Sequence, residues 1–129
     1  GGDGGSALEA NLNEPAALAF DRQGNMYVAD HGNNRIRRVD AKTGNVSTVV
    51  GNGERGFSGD GGLAADARLN APSGLAVDDH GALYIADAGN HRIRKVDLAT
   101  GVIATVAGSG PIEEGLPKTP LTGIPGIQI

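Results

Sequence analysis

The stretch Tyr84-Ile-Ala-Asp-Ala-Gly-Asn-His-Arg-Ile-Arg-Lys-Val-Asp97 decides the fold, because the chain contains it twice. The other copy is Tyr27–Asp40, 57 residues earlier. The similarity extends without a gap from Gly2–Gly53 to Gly59–Gly110, with 29 identical residues in 52 positions. Self-similarity at a fixed period of this length is the signature of a repeat architecture. The chain is therefore predicted to consist of tandem units.

Each unit contains four short strand candidates that are separated by turn residues. Asp21-Arg-Gln-Gly24 and Thr43-Gly44 are typical of hairpin turns, since Gly adopts positive φ and Asp accepts turn amides. Four antiparallel strands in each tandem repeat predict the blades of a β-propeller. The predicted strands are Ala17–Asp21, Asn25–Asp30, Arg35–Asp40 and Asn45–Val50, then Gly74–Asp78, Ala82–Asp87, Arg92–Asp97 and Val102–Ala107.

The connection before each first strand is long for a structureless loop. In the second unit, Leu63–Leu69 is rich in helix formers, which predicts a short helical turn with Leu63 and Leu69 docked against the blade edges. Ser6–Leu12 repeats the arrangement. The predicted division is a linker over 1–14, a blade over 15–51, a linker over 52–71, a blade over 72–108, and 109–129 as a linker and the first strand of a third blade.

Composition narrows the function classes. Lys and Arg number 11 against 15 Asp and Glu, a net charge of −4, so nucleic acid is not an expected partner. The absence of cysteine excludes disulfides and thiolate metal sites. No apolar run approaches the roughly 18 residues of a membrane span. Composition therefore argues against a nucleic-acid partner and against a membrane span.

The repeated stretch and the linkers resemble the NHL repeat. The G-D-G-G linker followed by L-N-x-P, as in Leu12–Pro15 and Leu69–Pro72, is similar to a bacterial subset found in large multi-repeat proteins, many of them exported. The resemblance implies an all-β fold: two four-stranded antiparallel blades plus the start of a third, within a propeller of six blades. It further implies a binding or scaffold role without a cofactor, and an extracellular or periplasmic location.

Related propellers include metal-dependent lactonases and lyases, so an enzyme is the alternative. Its catalytic residues would lie mostly outside this segment, because the first strands, Ala17–Phe20 and Gly74–Val77, offer no metal ligand. The sequence contains neither G-x-S-x-G nor a phosphate-binding loop after a strand. No residue is predicted to be catalytic.

The most distinctive polar motif is D-x-G-N-x-R, which occurs once in each unit. We interpret it as a structural turn in which Gly or Asn takes left-handed positions and Asp accepts turn amides. The Arg five residues after the Asp is expected to reach back to it in a bidentate pair. Because the motif is present in both units, we expect it to have a structural role that every blade requires. Its residues are Asp30, Gly32, Asn33 and Arg35, then Asp87, Gly89, Asn90 and Arg92.

Two other groups of residues could hold a metal ion. Asp3 and Asp60 lie among glycines, and capping the short helical turn fits them better than calcium, which needs six to eight oxygens. His31, His80 and His91 fall at turns and are predicted to be solvated. Convergence of His31 and His91 on one zinc ion remains open. No metal site is predicted.

The arginines of the repeated stretch resemble a basic patch, but strand alternation places Arg35 and Arg37 on one face and Arg38 on the other. Ion pairs between blades are their expected role. Two blades leave both outer sheet faces without a neighbour, so the chain is expected to pack against further blades. We expect a fragment of a longer chain, with a homotrimer that closes six blades as the alternative.

Overall fold

The computed structural model describes residues 3–6 and 11–108, which form an all-β fold. It confirms two four-stranded antiparallel sheets, with strand order β1-β2-β3-β4 in blade 1 and β5-β6-β7-β8 in blade 2. The predicted third-blade strand and most of the Ser6–Leu12 turn lie outside these residues. The strands are β1 Pro15–Phe20, β2 Met26–Asp30, β3 Arg35–Val39, β4 Val46–Val50, β5 Pro72–Val77, β6 Ala82–Asp87, β7 Arg92–Asp97 and β8 Ile103–Ala107.

The hairpin turns form where the sequence places Asp and Gly. Between β1 and β2, Asp21 Oδ1 accepts the backbone N–H groups of Gln23 and Asn25, at 3.0 and 2.9 Å. Gly24 follows with φ of 86°, a conformation that costs Gly nothing because it has no Cβ. The turn fixes the strand register, with Leu18 opposite Val28.

The core lies between the two blades. Period-2 alternation along each strand sends one set of apolar side chains toward the other blade. Three residues of the linker, Ala64, Ala67 and Leu69, complete this core and are also fully buried. The core side chains from the strands are Tyr27, Ala29, Ile36 and Val50 of blade 1 and Leu83, Ile85, Val96 and Ile103 of blade 2.

The linker joins both blades through its backbone. Gly51 at the end of blade 1 donates its N–H to the carbonyl of Ala64, at 2.9 Å. Ala64 in turn donates to the carbonyl of Gly101 at 2.7 Å, and Ile103 in β8 donates to the carbonyl of Gly62 at 3.0 Å. The linker therefore lies along the outer edge of blade 2 while holding the end of blade 1.

The helical turn in the linker is shorter than predicted. Only Ala64–Asp66 is helical, as one 3₁₀ turn, and the backbone is extended again at Ala67. Leu63 and Leu69 therefore do not share a helix face. Leu69 is completely buried as expected. Leu63 lies at the edge of blade 2, where it forms an antiparallel bridge with Val102, but the residue is 55% exposed.

Leu69→Ala should lower the free energy of unfolding by about 2–5 kcal/mol, because it leaves a cavity between the blades. Leu63→Ala, the same substitution at an exposed site, should change it by less than about 0.5 kcal/mol. Urea denaturation followed by circular dichroism measures both. Equal losses at the two positions would contradict this packing.

Candidate functional site

The aspartate of each D-x-G-N-x-R motif is completely buried and fully engaged. Asp30 Oδ1 accepts the backbone N–H of Asn13 at 2.7 Å, and its Oδ2 accepts the side-chain amide of Asn33 at 2.9 Å. In blade 2 the corresponding distances to Asp87, from Asn70 and Asn90, are 2.8 and 2.9 Å. The two copies of the motif therefore form the same local structure.

The fully buried arginine that pairs with each motif aspartate is not the arginine predicted from sequence. Arg35 makes a single 3.5 Å contact with Asp30, so the expected bidentate pair is wrong. Arg37, two residues further along the same face of β3, is completely buried and its Nη1 lies 3.4 Å from Asp30 Oδ2. Arg94 and Asp87 repeat this contact at 3.3 Å.

Arg92, the counterpart of Arg35 in blade 2, contacts an aromatic ring. Its guanidinium lies over the ring of Phe57, 3.8 Å from the centroid, in cation–π geometry. Phe57 belongs to the linker that precedes blade 2. Arg92 therefore helps to hold that linker against the blade.

The left-handed residues of the motif turn also differ from the expectation. They are Asn34 and His91, with φ of 55° and 54°, one residue after Asn33 and Asn90. Gly89 serves a different purpose, since a Cβ there would lie 2.3 Å from Asn70 Cγ. The glycine therefore allows close packing of L-N-x-P against the motif turn, and the Gly89 N–H donates to the Asn70 carbonyl at 2.8 Å.

The linker aspartates bind the buried arginines. Asp3 Oδ1 lies 2.7 Å from Arg37 Nη2, and Asp60 Oδ1 lies 3.0 Å from Arg94 Nη2. For Asp60 the predicted helix-capping role is wrong, because Leu63 occupies the cap position of the helical turn Ala64–Asp66. Each unit thus contains an ion chain, which is Asp60–Arg94–Asp87 in blade 2 and Asp3–Arg37–Asp30 in blade 1. The arginine and the motif aspartate of each chain are completely buried, whereas the side chains of Asp3 and Asp60 are 46% and 33% exposed.

Backbone carbonyls complete the environment of Arg94. Its guanidinium donates to the carbonyl oxygens of Ser58 and Arg68, at 2.7 and 2.8 Å. Burial raises the pKa of Asp87, although hydrogen bonds from Asn70 and Asn90 and the charge of Arg94 favour its ionised form. Removing Arg94 would therefore leave an already desolvated carboxyl without its compensating charge.

Ion pairs between blades were the expected role of the arginines, but the contacts of Arg37, Arg38 and Arg94 with carboxylates lie within single units. The neighbouring unit is reached by an amide, because Asn34 Oδ1 accepts the N–H of Ala71 at 3.0 Å. Ala71 has φ of 53°, a strained value for a residue with a Cβ. The side chain of Asn34 thus helps to fix the junction between the blades.

The histidines occupy three different turn positions. His31 begins the 3₁₀ turn of blade 1, and His91 is the left-handed residue after that of blade 2. His80 lies in the β5–β6 turn, where its backbone N–H donates to Asp78 Oδ1 at 2.8 Å. Within residues 3–6 and 11–108, no three His, Cys, Asp or Glu side chains are grouped so that they could hold a metal ion.

A polar groove lies between the blades at the end opposite to the D-x-G-N-x-R turns. We call it the interblade groove; its volume is about 380 Å³. It arises where the β1–β2 turn of blade 1 faces the β5–β6 and β7–β8 turns of blade 2. The residues that line it include Asp21, Tyr27, Arg38, Asp78, Asp79 and Leu98.

The charges of the groove suit binding better than proton transfer. Burial opposes ionisation of Asp21, but hydrogen bonds from Asn25, Tyr27 and Gln23 outweigh it and lower the pKa. Burial raises the pKa of Tyr27, so its phenol is neutral at pH 7. Because the pKa of Asp21 is lowered and that of Tyr27 is raised, these two groups do not form an acid–base pair that titrates near neutrality. Sequence reasoning missed the groove, because it exists only once the two blades pack.

Tandem four-stranded sheets, joined by linkers and packed face to face, define the class as a repeat β-propeller. The family model described as "Teneurin NHL domain" matches residues 1–58 and 52–127. NHL repeat-containing protein 2 of Bos taurus is 34% identical over 125 residues, which cover 89% of this chain and 17% of that protein. The chain belongs to the NHL-repeat family.

Solved structures agree on the fold. A protein of unknown function from Bacteroides thetaiotaomicron aligns with a TM-score of 0.71 and 26% identity, covering 91% of this chain and 30% of that one. A streptogramin B lyase aligns with a TM-score of 0.56 over 76% of this chain and 28% of that one, and its 15% identity shows a shared fold alone. Among the residues that the structure describes, no helix is long and apolar enough to cross a membrane.

Arg94→Ala should lower the free energy of unfolding by about 3–5 kcal/mol, because it leaves the buried Asp87 uncompensated. Arg35→Ala should cost less than about 1 kcal/mol, because that side chain is partly exposed and makes one long ion pair. Urea denaturation at pH 7 compares the two. A larger loss of stability for Arg35→Ala than for Arg94→Ala would favour the pairing of Arg35 with Asp30 that the sequence predicts.

Asp78 is expected to stabilise the fold less in acid than near neutral pH. Hydrogen bonds from the backbone N–H groups of Ala82 and His80 lower the pKa of Asp78 below its ordinary 3.8. A lowered folded-state pKa contributes stability that is present above 3.8 and is lost as the pH falls through the folded-state value. The stabilisation of wild type over Asp78→Asn should therefore be constant near pH 6 and shrink below pH 3.8.

Thermal unfolding from pH 6 to pH 2.5 measures this difference. Asp79→Asn, at the next residue, controls for the change in net charge. A stability difference between wild type and Asp78→Asn that grows on acidification would show that the sign is wrong.

Proposed function

We propose that the chain is a non-enzymatic binding or scaffold module, a propeller segment of a larger protein that mediates contacts with proteins or small ligands. Its partners in this proposal include further NHL blades, of the same chain or of a homo-oligomer. The chain spans 17% of the length of its relative NHL repeat-containing protein 2. What a whole protein containing this segment does is therefore also a matter of proposal. An extracellular or periplasmic location rests on the resemblance of the G-D-G-G linkers alone.

One observation carries the proposal: the motif carboxylates are completely buried, and the chain itself occupies them. Asp30 and Asp87 each bind a backbone amide, a side-chain amide and a buried guanidinium. A group desolvated and saturated in this way is not available to a ligand without disruption of the blade. The repeated motif is then interpreted as structural, and recognition belongs to the surface that the blades support.

The interblade groove is one part of that surface that offers a small ligand both polar and apolar contacts. Its lining includes the ionised Asp21 and Asp78. It also includes Arg38, whose guanidinium lies 3.5 Å from Asp40, and the apolar Val77 and Leu98. Pockets that bind small molecules combine apolar walls with a few fixed polar groups in this manner. The enzyme alternative would need metal ligands on the first strands, where β1 and β5 present apolar side chains and Ser73.

The structural reading of the motif predicts that Asp87→Ala lowers the free energy of unfolding by about 1–3 kcal/mol, the cost of leaving buried donors unsatisfied. Asp66→Ala, at an exposed carboxylate in the linker, is the matched control and should be near neutral. Urea denaturation measures both variants.

The same samples test the enzyme alternative. Under the proposal, adding Ca²⁺ or Zn²⁺ leaves the unfolding temperature of wild type unchanged, and aryl lactones are hydrolysed no faster than in buffer. Unchanged stability of Asp87→Ala, combined with loss of a metal-dependent rise that wild type shows, would make the motif a ligand site.

A further inference from the structure

The linker between the blades begins with the dipeptide Asn52-Gly53, and both residues are exposed. Asparagine is chemically labile, and most so before glycine, because glycine has no Cβ to hinder the approach of its backbone nitrogen to the asparagine Cγ. Even a Cβ at Gly53 would meet no heavy atom within 4 Å, so the surroundings are open as well. The dipeptide is therefore accessible to reaction in the folded chain.

The backbone N–H of Gly53 distinguishes this dipeptide from the chemically similar Asp3-Gly4 and Asp60-Gly61. Gly4 donates its N–H to the carbonyl of Val46 at 2.6 Å. Gly61 donates its N–H to the carbonyl of Ile103 at 2.7 Å. Within the described residues, no group accepts a hydrogen bond from the Gly53 N–H. Of these three glycine nitrogens, only that of Gly53 is free to lose its proton and attack a side chain.

The side chain of Asn52 is held in a state that favours such an attack. Its Oδ1 accepts the backbone N–H of Glu54 at 2.9 Å. Attack at Cγ places negative charge on this oxygen, and a backbone N–H that is already in place stabilises the charge as it develops. The backbone N–H of Asn52 itself donates to the carbonyl of Ala67 at 2.9 Å, which anchors the main chain beside the reacting atoms.

The amide at position 52 is not conserved within the repeat. One period later the sequence has Ser109-Gly110, so the glycine recurs and the asparagine does not. The unit therefore does not depend on an asparagine at this position, and serine is a substitution that the chain itself uses.

We propose that Asn52 is a site of spontaneous modification, where the side-chain amide is lost as ammonia. The Gly53 nitrogen loses its proton to solvent and bonds to Cγ of Asn52, and the Cγ–Nδ2 bond breaks as Nδ2 takes up a proton. Water then opens the succinimide: attack at Cγ gives aspartate, and attack at the backbone carbonyl carbon gives isoaspartate, whose main chain runs through Cβ and Cγ. Water is the only co-reactant, and the reaction is independent of what the chain binds.

The isoaspartate form is expected to loosen the linker. It inserts a further carbon–carbon bond of about 1.5 Å into the main chain. The insertion falls between two backbone pairings, of Asn52 with Ala67 at 2.9 Å and of Gly56 with Leu69 at 3.0 Å. Ala67 and Leu69 belong to the core between the blades, so a linker that no longer fits both pairings disturbs that core.

The first experiment incubates the complete folded chain for several weeks in mildly alkaline buffer at physiological temperature. Peptide mapping by mass spectrometry should show the replacement of NH₂ by OH in the peptide that contains residue 52, and an isoaspartate-specific methyltransferase should label that peptide. Asn52→Ser, the matched control, should show neither change, and circular dichroism verifies that it is folded. Loss of ammonia at an equal rate in Asn52→Ser would place the reaction elsewhere and overturn the proposal.

The second experiment repeats the incubation in urea, which removes the backbone hydrogen bonds. Asn52 should react in the folded chain within about tenfold of its rate in urea, whereas isoaspartate at Asp3 and Asp60 should form only in urea. A folded chain that slows the reaction at Asn52 by more than about tenfold, an added barrier of about 1.4 kcal/mol, protects the site, and the proposal is then wrong. Isoaspartate that forms at Asp60 in the folded chain as fast as at Asn52 would likewise contradict the selection of the site by its free N–H.

The third experiment compares the two products. The isoaspartate form, separated from the aged chain by ion-exchange chromatography, should unfold at a lower temperature than freshly prepared Asn52→Asp, which has the same charge without the additional bond. Equal unfolding temperatures would refute the expected loosening of the linker.

Discussion

The fold depends on a guanidinium in each blade that is removed from water. A buried charge is costly unless charged and hydrogen-bonding groups surround it. For Arg94 these groups come from three parts of the unit: Asp60 and the carbonyl of Ser58 in the linker, the carbonyl of Arg68 before β5, and Asp87 at the end of β6. The requirement explains why the G-D-G-G linker and the R-I-R strand recur together, and why the linker belongs structurally to the blade that follows it.

This arrangement separates stability from recognition. Four charged residues that recur in both units are completely buried and are occupied by the chain itself: Asp30, Arg37, Asp87 and Arg94. The groups that line the interblade groove are less uniform, since Asn25 and Arg38 of blade 1 correspond to Ala82 and Lys95 of blade 2. A scaffold of this kind keeps its interior constant while its surface changes, which is why propellers host unrelated activities.

The strands could be predicted from sequence because their signals are local. Asp21 with Gly24 marks a hairpin, and the alternation beside it fixes which side chains face the core. The partner of Asp30 could not be predicted, because Arg35 and Arg37 lie on the same face of β3, and only the position of the linker decides which is buried. The groove was missed for a related reason, since its residues come from 21–38 in blade 1 and from 77–99 in blade 2, which meet only when the blades pack.

The two units also differ where they meet. Asn34 accepts the N–H of Ala71 across the junction, and the same position in blade 2 is His91, whose imidazole has a different shape and hydrogen-bonding pattern. Phe20 and Val77 occupy the same repeat position and also differ in size. Residues within the ion chains are invariant between the units because each must solve the same local problem of a buried charge. Residues at a junction are free to vary between units, because each junction has to suit only the two blades that form it. Near-identical repeats can thereby encode their order, since a blade packs best against the neighbour whose face complements its own.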